Sequence, residues 1–280
     1  AASNVTGIIT DVDAVTRMLR THGALSVWDY AGGGPYLPID MKAGTACEKD
    51  AVVISPHKFV GGPAASGIMI VRDATVRRTR PVFPGGGTVR FVSPWGHDYA
   101  ESLTSREEAG TPNVIGDVRA GLAFLVKEAM GQDWLDTRHA TLHKRALQAW
   151  QDNPHITILG NPAASRCLPI FSIQGHDTRQ GGLIHQQLFT RMLSDLYGIQ
   201  ARGGCACAGP YAHDLLGIDQ PMSEKLRQNI LNGNEIRKPG WTRLNFCALT
   251  DDHKADFIIH SVNELASSPY PMVDAYACDM

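Results

Sequence analysis

Apolar residues recur along the chain in two spacings, one typical of amphipathic helices and one typical of buried strands. Near the start, Val12, Val15 and Leu19 share one face of a helix that Asp11 can cap. Three almost continuous apolar runs follow, over 25–29, 51–55 and 68–71. Such runs predict strands covered on both faces, as in α/β sheets, where ligands bind at the carboxyl ends of the strands.

The helical spacing returns after a loop rich in glycine and proline over 81–89. A helix is predicted after Asn113, with five apolar residues facing inward: Val114, Ile115, Val118, Leu122 and Leu125. Further helices are predicted over 133–150, 183–197 and 252–266. Strands are predicted over 156–159, 168–173 and 241–246, the last alternating as a half-buried strand does. We therefore expect a partial large α/β domain over 1–132 and a smaller C-terminal α/β domain over 133–280.

Composition excludes several classes of function. The 280 residues are 43% hydrophobic and 19% charged, with a net charge of −2, so nothing favours binding to nucleic acid or an anionic membrane. No apolar run approaches the ~20 residues that a membrane span needs. Six cysteines in a chain of this length do not suggest a disulfide scaffold. They favour a reducing compartment, hence the cytoplasm.

Lys58 has the most informative surroundings in the chain. It directly follows a predicted buried strand, with Ser55 and His57 before it and a glycine pair shortly after it. A lysine amine that is partly neutral can condense with an aldehyde. The preceding strand ends in Asp29, and a carboxylate and a lysine at successive strand ends are what pyridoxal phosphate (PLP) needs. A solvated lysine and a strand-capping aspartate are the simpler explanations of each residue alone.

Two arginines and two cysteines add further chemistry. Arg243 lies within an otherwise apolar strand, and its planar fork matches a carboxylate. Arg202 is open to the same role or to pairing with a neighbouring acid. Cys205 and Cys207 form a Cys-x-Cys pair, which His213 extends to a spacing that matches no common zinc pattern, so no metal is expected. Cysteines packed near a glycine turn are an equally good explanation.

Five segments, in this order, resemble the class V aminotransferase and cysteine desulfurase family of fold-type I PLP enzymes. They are Ser3-Asn4-Val5-Thr6-Gly7, Asp29, the signature Ser55-Pro56-His57-Lys58, the segment 202–208 around Cys207, and the strand 241–246 with Arg243. The resemblance covers nearly the whole chain. It implies a mostly parallel sheet flanked by helices in the large domain, PLP as cofactor and a homodimer.

The resemblance also implies roles for residues that would hold the cofactor. Lys58 would condense with the aldehyde of PLP and later move the α-proton of the substrate. Asp29 would pair with the pyridine nitrogen, so that the ring withdraws electrons. Ser55 and His57 would contact the phosphate, and Asn4 would donate to the ring oxygen.

Other residues are implied to contact the substrate or a second subunit. Arg243 and Arg202 would bind the substrate carboxylate, and Cys207 would attack the substrate sulfur. Independently of the resemblance, the position of Cys205 two residues earlier offers a resolving thiol. Thr88 would reach the cofactor phosphate of the partner subunit.

Several departures from the family pattern change the expectation. Gly32 stands where the family has glutamine or histidine, the cysteine loop lacks histidines, and a segment over 209–240 is inserted before Arg243. Relatives carry a front segment with a phosphate-gripping turn and a residue that stacks on the pyridine, whereas this chain begins at Ala1. We therefore expect low or absent PLP occupancy in this form, and an oligomer in which a neighbouring chain covers exposed apolar surface.

The function expected from these observations is that of a PLP-dependent enzyme acting on a small amino acid, of cysteine desulfurase or selenocysteine lyase type. An aminotransferase or epimerase is the alternative within the same class. A catalytically silent truncated fragment that self-associates without PLP is the alternative outside it.

Overall fold

The computed structural model describes residues 1–161, 163–177, 179, 181–269 and 275–277. The chain forms two compact units. The first contains Ala1 and Thr10–Gln132, and the second joins Ala2–Ile9 to the chain from Asp133 onward. The predicted domains, 1–132 and 133–280, stay a prediction, since a domain is defined by independent folding and not by contacts alone.

The first unit is built on a three-stranded sheet in the order β1-β2-β3, with strands Val27–Asp29, Ala51–Ile54 and Ile68–Val71. Strand β1 runs parallel to β2, and β3 runs antiparallel to it. Helix α1 (Val12–Thr21) precedes the sheet, and the Asp11 side chain caps it as predicted by accepting a hydrogen bond from the Ala14 N–H.

The rest of the first unit follows β3. Strands β4 (Val89–Ser93) and β5 (Gly96–Tyr99) form a hairpin that the sequence patterns did not predict. Helices α2 (Leu103–Glu107) and α3 (Val114–Met130) complete the unit. Asn113 caps α3 through its side chain, which ends the preceding loop.

The second unit contains an antiparallel sheet in the order β6-β7-β9-β8, with strands Ile156–Ile158, Ile170–Gly175, Trp241–Asn245 and Arg202–Gly204. Its helices are α4 (Gln132–Trp150), α5 (Gln186–Tyr197), α6 (Gly209–Leu215), α7 (Gln220–Leu231) and α8 (Asp252–Ser267). Its core includes Trp150, Phe171 and Phe246, whose rings lie within contact distance of one another. None of the helices in the described ranges is long and apolar enough to span a membrane.

The inward face predicted for α3 is wrong. Val114, Ile115, Val118, Leu122 and Leu125 are 53–67% exposed. The buried residues are instead Gly116, Ala120 and Ala123, on another face of the helix. Small residues allow α3 to pack closely against the rest of the first unit. A Cβ at Gly116 would lie 2.6 Å from the Ser66 hydroxyl oxygen. The large apolar residues therefore form an exposed stripe, which we call the α3 stripe.

Two expectations about strands also need correction. Strands β1 and β3 are not covered on both faces, because Val27 is 66% exposed and Met69 is 62% exposed. Strand β9 is not half-buried by alternation, because Trp241 and Thr242 are both buried. Trp241 packs with Val5 and Ala206, while the Thr242 hydroxyl faces α5 and donates to the Gln186 carbonyl.

Candidate active site

The carboxyl ends of β1 and β2 bring four predicted site residues to one edge of the first sheet. Asp29 ends β1 and pairs in register with Val53 of the parallel strand β2. Ser55 follows β2, and a single 3₁₀ turn over Pro56–Lys58 carries the histidine and the lysine. Since neighbouring strands lie about 4.8 Å apart, the carboxylate and the Ser-Pro-His-Lys turn are neighbours on this edge.

The turn that carries Lys58 is fixed by its backbone. The Phe59 N–H donates to the Pro56 carbonyl at 2.9 Å, and the Gly62 N–H donates to the Phe59 carbonyl at 3.0 Å. Phe59 is buried and anchors the turn. A Cβ at Gly62 would lie 1.9 Å from the Pro56 carbonyl oxygen, so only glycine fits there.

The side chains of His57 and Lys58 are exposed, and neither forms a hydrogen bond or ion pair within the described part of the chain. The Asp29 carboxylate accepts a hydrogen bond from the Ala31 N–H at 2.6 Å, which fixes one of its oxygens and leaves the other available. An uncommitted amine, an imidazole, a hydroxyl and a carboxylate form the set of groups that PLP requires for its aldehyde, phosphate and pyridine nitrogen. The residues of this edge therefore fit that cofactor.

The glycine run after Asp29 has a structural explanation. The Gly34 N–H donates to the Tyr30 carbonyl at 2.6 Å, which closes a tight turn. A Cβ at Gly34 would lie 2.8 Å from that carbonyl oxygen and 3.1 Å from the Phe59 ring. The turn thus packs against the residue that anchors the lysine turn. Gly32, within it, offers only backbone groups where the family has a side chain.

Thr88 is fully buried, and its hydroxyl is engaged inside its own loop. It donates to the Gly85 carbonyl at 2.7 Å and accepts from the Gly85 N–H at 3.2 Å. Its predicted role toward the phosphate of a partner subunit stays a prediction.

In the second unit, hydrogen bonds connect three of the predicted segments. The Asn4 amide donates to the Ala206 carbonyl at 2.9 Å, and the Arg243 guanidinium donates to the Asn4 backbone carbonyl at 2.9 Å. The loop over residues 3–7, which carries Asn4, is therefore held between β9 and the turn over residues 205–208, which we call the cysteine turn. One of the two Asn4 amide protons is used by this contact, so its predicted bond to the cofactor oxygen relies on the other.

Arg202 lies between Arg243 and the cysteine turn. It pairs in register with Arg243 across strands β8 and β9. Its guanidinium also donates to the Cys207 sulfur at 3.1 Å. The structure thus groups Arg202, Arg243, Cys207 and Asn4 in the second unit, as it groups Asp29, Ser55, His57 and Lys58 in the first.

Cys207 lies in a turn with an uncommon backbone. Ala206 and Cys207 both have positive φ, 51° and 60°. The Ala208 N–H closes the turn by donating to the Cys205 carbonyl at 3.1 Å. Left-handed conformation in residues other than glycine costs on the order of 1–3 kcal/mol each, and such residues cluster at functional sites.

A cavity of about 960 Å³ in the second unit opens beside this turn. Arg202, Cys205 and Cys207 line it together with residues of the inserted segment over 209–240: Ala212, His213, Ile230, Glu235, Ile236, Lys238 and Pro239. The sequence alone did not predict that the inserted segment lines this cavity. Proline in the first turn of α6 and of α7 could have predicted those helices, but nothing in the sequence indicates that they border the cysteine turn.

The conceivable Cys-x-Cys-x5-His metal site is not assembled. No group of three or more histidine, cysteine or carboxylate side chains suited to a metal occurs in the ranges that the structure describes. Both ring nitrogens of His213 are engaged, one with the Gly209 carbonyl at 2.8 Å and one with the Ser223 hydroxyl at 2.9 Å.

Comparison with known proteins identifies the family of the chain. Residues 1–234 match the family described as Aminotransferase class-V. The chain belongs to this family. The predicted family resemblance is therefore confirmed.

Curated relatives from bacteria are similar over about three quarters of the chain. A probable cysteine desulfurase of Vibrio cholerae serotype O1 is 30% identical over 216 residues, covering 77% of this chain and 50% of that protein. A cysteine desulfurase of Pectobacterium atrosepticum is 30% identical over 209 residues, covering 74% and 48%. The chain therefore spans about half the length of the curated relatives it matches.

Solved structures show the same fold. The apo cysteine desulfurase of Thermococcus onnurineus NA1 matches with a TM-score of 0.75 at 21% identity, covering 95% of this chain and 58% of that one. The cysteine desulfurase CsdA of Escherichia coli matches with a TM-score of 0.71 at 21% identity, covering 95% and 57%. The predicted α/β fold of the fold-type I class is confirmed, while the sheet of the first unit contains one parallel and one antiparallel pair.

Proposed function

We propose that this protein acts as a PLP-dependent enzyme on a small amino acid, in the manner of a cysteine desulfurase or selenocysteine lyase. The observation that carries the proposal is the placement of Arg202, opposite Arg243 on the neighbouring strand and 3.1 Å from the Cys207 sulfur. Two guanidinium groups suit the carboxylate of an amino acid. A thiol beside them suits attack on a sulfur or selenium atom of the same substrate.

The residues of the first unit would hold the cofactor. PLP, when bound, supplies an electron sink for the α-carbon of the substrate. The Asp29 carboxylate would hold the proton of the pyridine nitrogen. The Ser55 hydroxyl and the His57 imidazole would bind the phosphate, and the Lys58 amine would carry the α-proton of the substrate.

The residues of the second unit would hold and cleave the substrate. Arg243 and Arg202 would bind its carboxylate, and Asn4 would hold the cysteine turn in place through its bond to the Ala206 carbonyl. The Cys207 thiolate would bond to the substrate sulfur as the bond from that sulfur to carbon breaks, and the carbon would keep the electron pair of that bond and take up a proton. This step would leave a persulfide on Cys207.

We also propose that the protein forms a homodimer in the cytoplasm. Exposed apolar residues support the dimer: the α3 stripe is more than half exposed, and Trp95 at the tip of the β4–β5 hairpin is 92% exposed. The five cysteines that the structure describes are free thiols, which supports a reducing compartment.

Because PLP occupancy is expected to be low in the protein as purified, the test incubates it with excess PLP and removes unbound cofactor by desalting. We expect bound PLP to give the wild-type protein a yellow colour, which borohydride reduction followed by dialysis removes. We also expect the wild-type protein to release sulfide from cysteine in the presence of a thiol reductant. Lys58→Ala should abolish both. Cys207→Ser should abolish sulfide release and retain the colour. The protein would instead be an aminotransferase if wild type releases no sulfide and if amino-group transfer persists in Cys207→Ser. Colourless wild-type protein with neither activity would support a catalytically silent protein.

A further inference from the structure

The cysteine turn presents two sulfur atoms to one cavity. Cys205 and Cys207 flank a single residue and both line the cavity of about 960 Å³. Cys207 is exposed and Cys205 is partly buried, and both are free thiols. Within the described ranges, the Cys205 sulfur makes no hydrogen bond, whereas the Cys207 sulfur accepts one from Arg202. The two thiols therefore border the same cavity but differ in their surroundings.

The residue between them is anchored on both sides. Ala206 is 2% exposed and packs with Val5 and Trp241, while its carbonyl accepts the Asn4 amide. This anchoring explains how a left-handed conformation persists at Ala206 and Cys207, where glycine is the usual residue. Anchoring the middle residue constrains the backbone positions of the two cysteines on either side of it.

The turn is compact enough for a disulfide between Cys205 and Cys207. The Ala208 N–H closes it by donating to the Cys205 carbonyl at 3.1 Å. In such a closed turn, Cα atoms two residues apart fall within the roughly 4.4–6.8 Å that a disulfide spans. Thiol–disulfide exchange requires the attacking sulfur to reach the sulfur under attack, and both sulfurs border the same cavity.

We propose that Cys205 is a resolving thiol for a persulfide on Cys207. This inference rests on the proposed function, which supplies that persulfide. The Cys205 thiolate attacks the inner sulfur of the Cys207 persulfide, a bond forms between the two cysteine sulfurs, and the outer sulfur leaves as hydrosulfide with the electron pair of the broken bond. The product is a Cys205–Cys207 disulfide, which a dithiol reductant returns to two thiols. The chain would thus release its sulfur as hydrosulfide without an acceptor protein.

The test loads the persulfide without PLP, so that it is independent of catalysis. Protein reduced under anaerobic conditions is freed of reductant, treated briefly with inorganic polysulfide and passed through a desalting column. Retained sulfane sulfur is measured by cyanolysis, and peptide mass spectrometry locates persulfides and disulfides. We expect wild type to lose its sulfane sulfur and to contain a Cys205–Cys207 disulfide. Cys205→Ser should retain the persulfide on Cys207 at a level at least tenfold higher.

Two controls make the result specific. Cys247→Ser removes an exposed free cysteine of the same unit outside the turn and should behave as wild type. Cys207→Ser should show neither the persulfide nor the disulfide at this turn. Equal retention by wild type and Cys205→Ser would overturn the proposal, as would polysulfide that never modifies Cys207. Absence of sulfide release from cysteine would overturn the proposed function and leave this result unaffected.

Discussion

Arg202 and Arg243 are direct partners across the antiparallel strands β8 and β9, so their side chains lie on the same face of the sheet. Like charges directly opposite each other on neighbouring strands destabilise a sheet. An anion bound between them would turn the repulsion into binding energy. The Arg202 contact with Cys207 would place such an anion beside the thiol.

Replacing Arg243 by alanine is expected to weaken binding of the amino-acid substrate strongly and binding of PLP little. Removing one partner of a buried hydrogen-bonded charge pair costs on the order of 2–5 kcal/mol. Substrate binding can be followed by the spectral change of PLP-loaded protein on titration with cysteine. Arg227→Ala, at an exposed ion pair with Glu224 on α7, is the matched control. Equal loss of substrate and cofactor binding would indicate a structural role for Arg243.

Gly62→Ala is expected to abolish PLP binding. Its Cβ would lie 1.9 Å from the Pro56 carbonyl oxygen, so the turn that carries Lys58 must shift. Gly67→Ala is the matched control, because its nearest neighbour lies 3.9 Å away. Absorbance of the lysine-bound cofactor, together with the thermal midpoint of each variant, measures the effect. Gly62→Ala with wild-type absorbance would show that the lysine turn tolerates displacement.

The sequence was most informative where local rules determine the structure. The cap at Asp11, the strand over Ile68–Val71 and the strand ends that carry Asp29 and Lys58 all follow from short-range patterns. The buried face of α3 could not be predicted from these patterns. The helix packs through its small residues Gly116, Ala120 and Ala123, and its larger apolar residues remain exposed.

The candidate site shows the same division. Motifs identified Cys207 and Arg243, but their connection through Asn4 and Ala206 joins residues some two hundred positions apart. The left-handed turn at Ala206 carries no glycine to signal it. Such long-range contacts leave no spacing in the sequence from which they could be predicted.

Charging the α3 stripe is expected to dissociate the proposed dimer. Leu122 and Val118 are both more than half exposed, so glutamate at either position is neutral to a single chain. In an interface, a buried unpaired carboxylate costs several kcal/mol. Light scattering should therefore report a dimer for wild type and a monomer for Leu122→Glu. Glu128→Gln, a surface change on the same helix, should remain dimeric. A wild-type monomer, or a Leu122→Glu dimer of unchanged affinity, would exclude this stripe as the interface.

Asp50 is expected to make the stability of the first unit depend on pH in the acid range. Its carboxylate is buried, accepts the Ser26 N–H at 2.8 Å and forms an ion pair with Arg72. Burial alone would raise the pKa of Asp50, but the bonds from Ser26 and Arg72 outweigh it and lower that pKa below the ordinary value. A carboxyl whose pKa is lower in the folded state stabilises the fold above its unfolded pKa of about 3.9, and this contribution is lost as the pH falls through the folded value.

Asp50→Asn should therefore lower the free energy of unfolding at pH 7 by about 1.5–3 kcal/mol, the worth of hydrogen bonds to a charged group. The difference from wild type should persist down to about pH 5 and shrink below about pH 4, as wild type becomes protonated. Urea denaturation at a series of pH values measures it. Asp98→Asn, on the exposed β4–β5 hairpin, is the control and should change little at any pH. A difference that stays constant into acid would mean that Asp50 contributes through its shape and not through its charge.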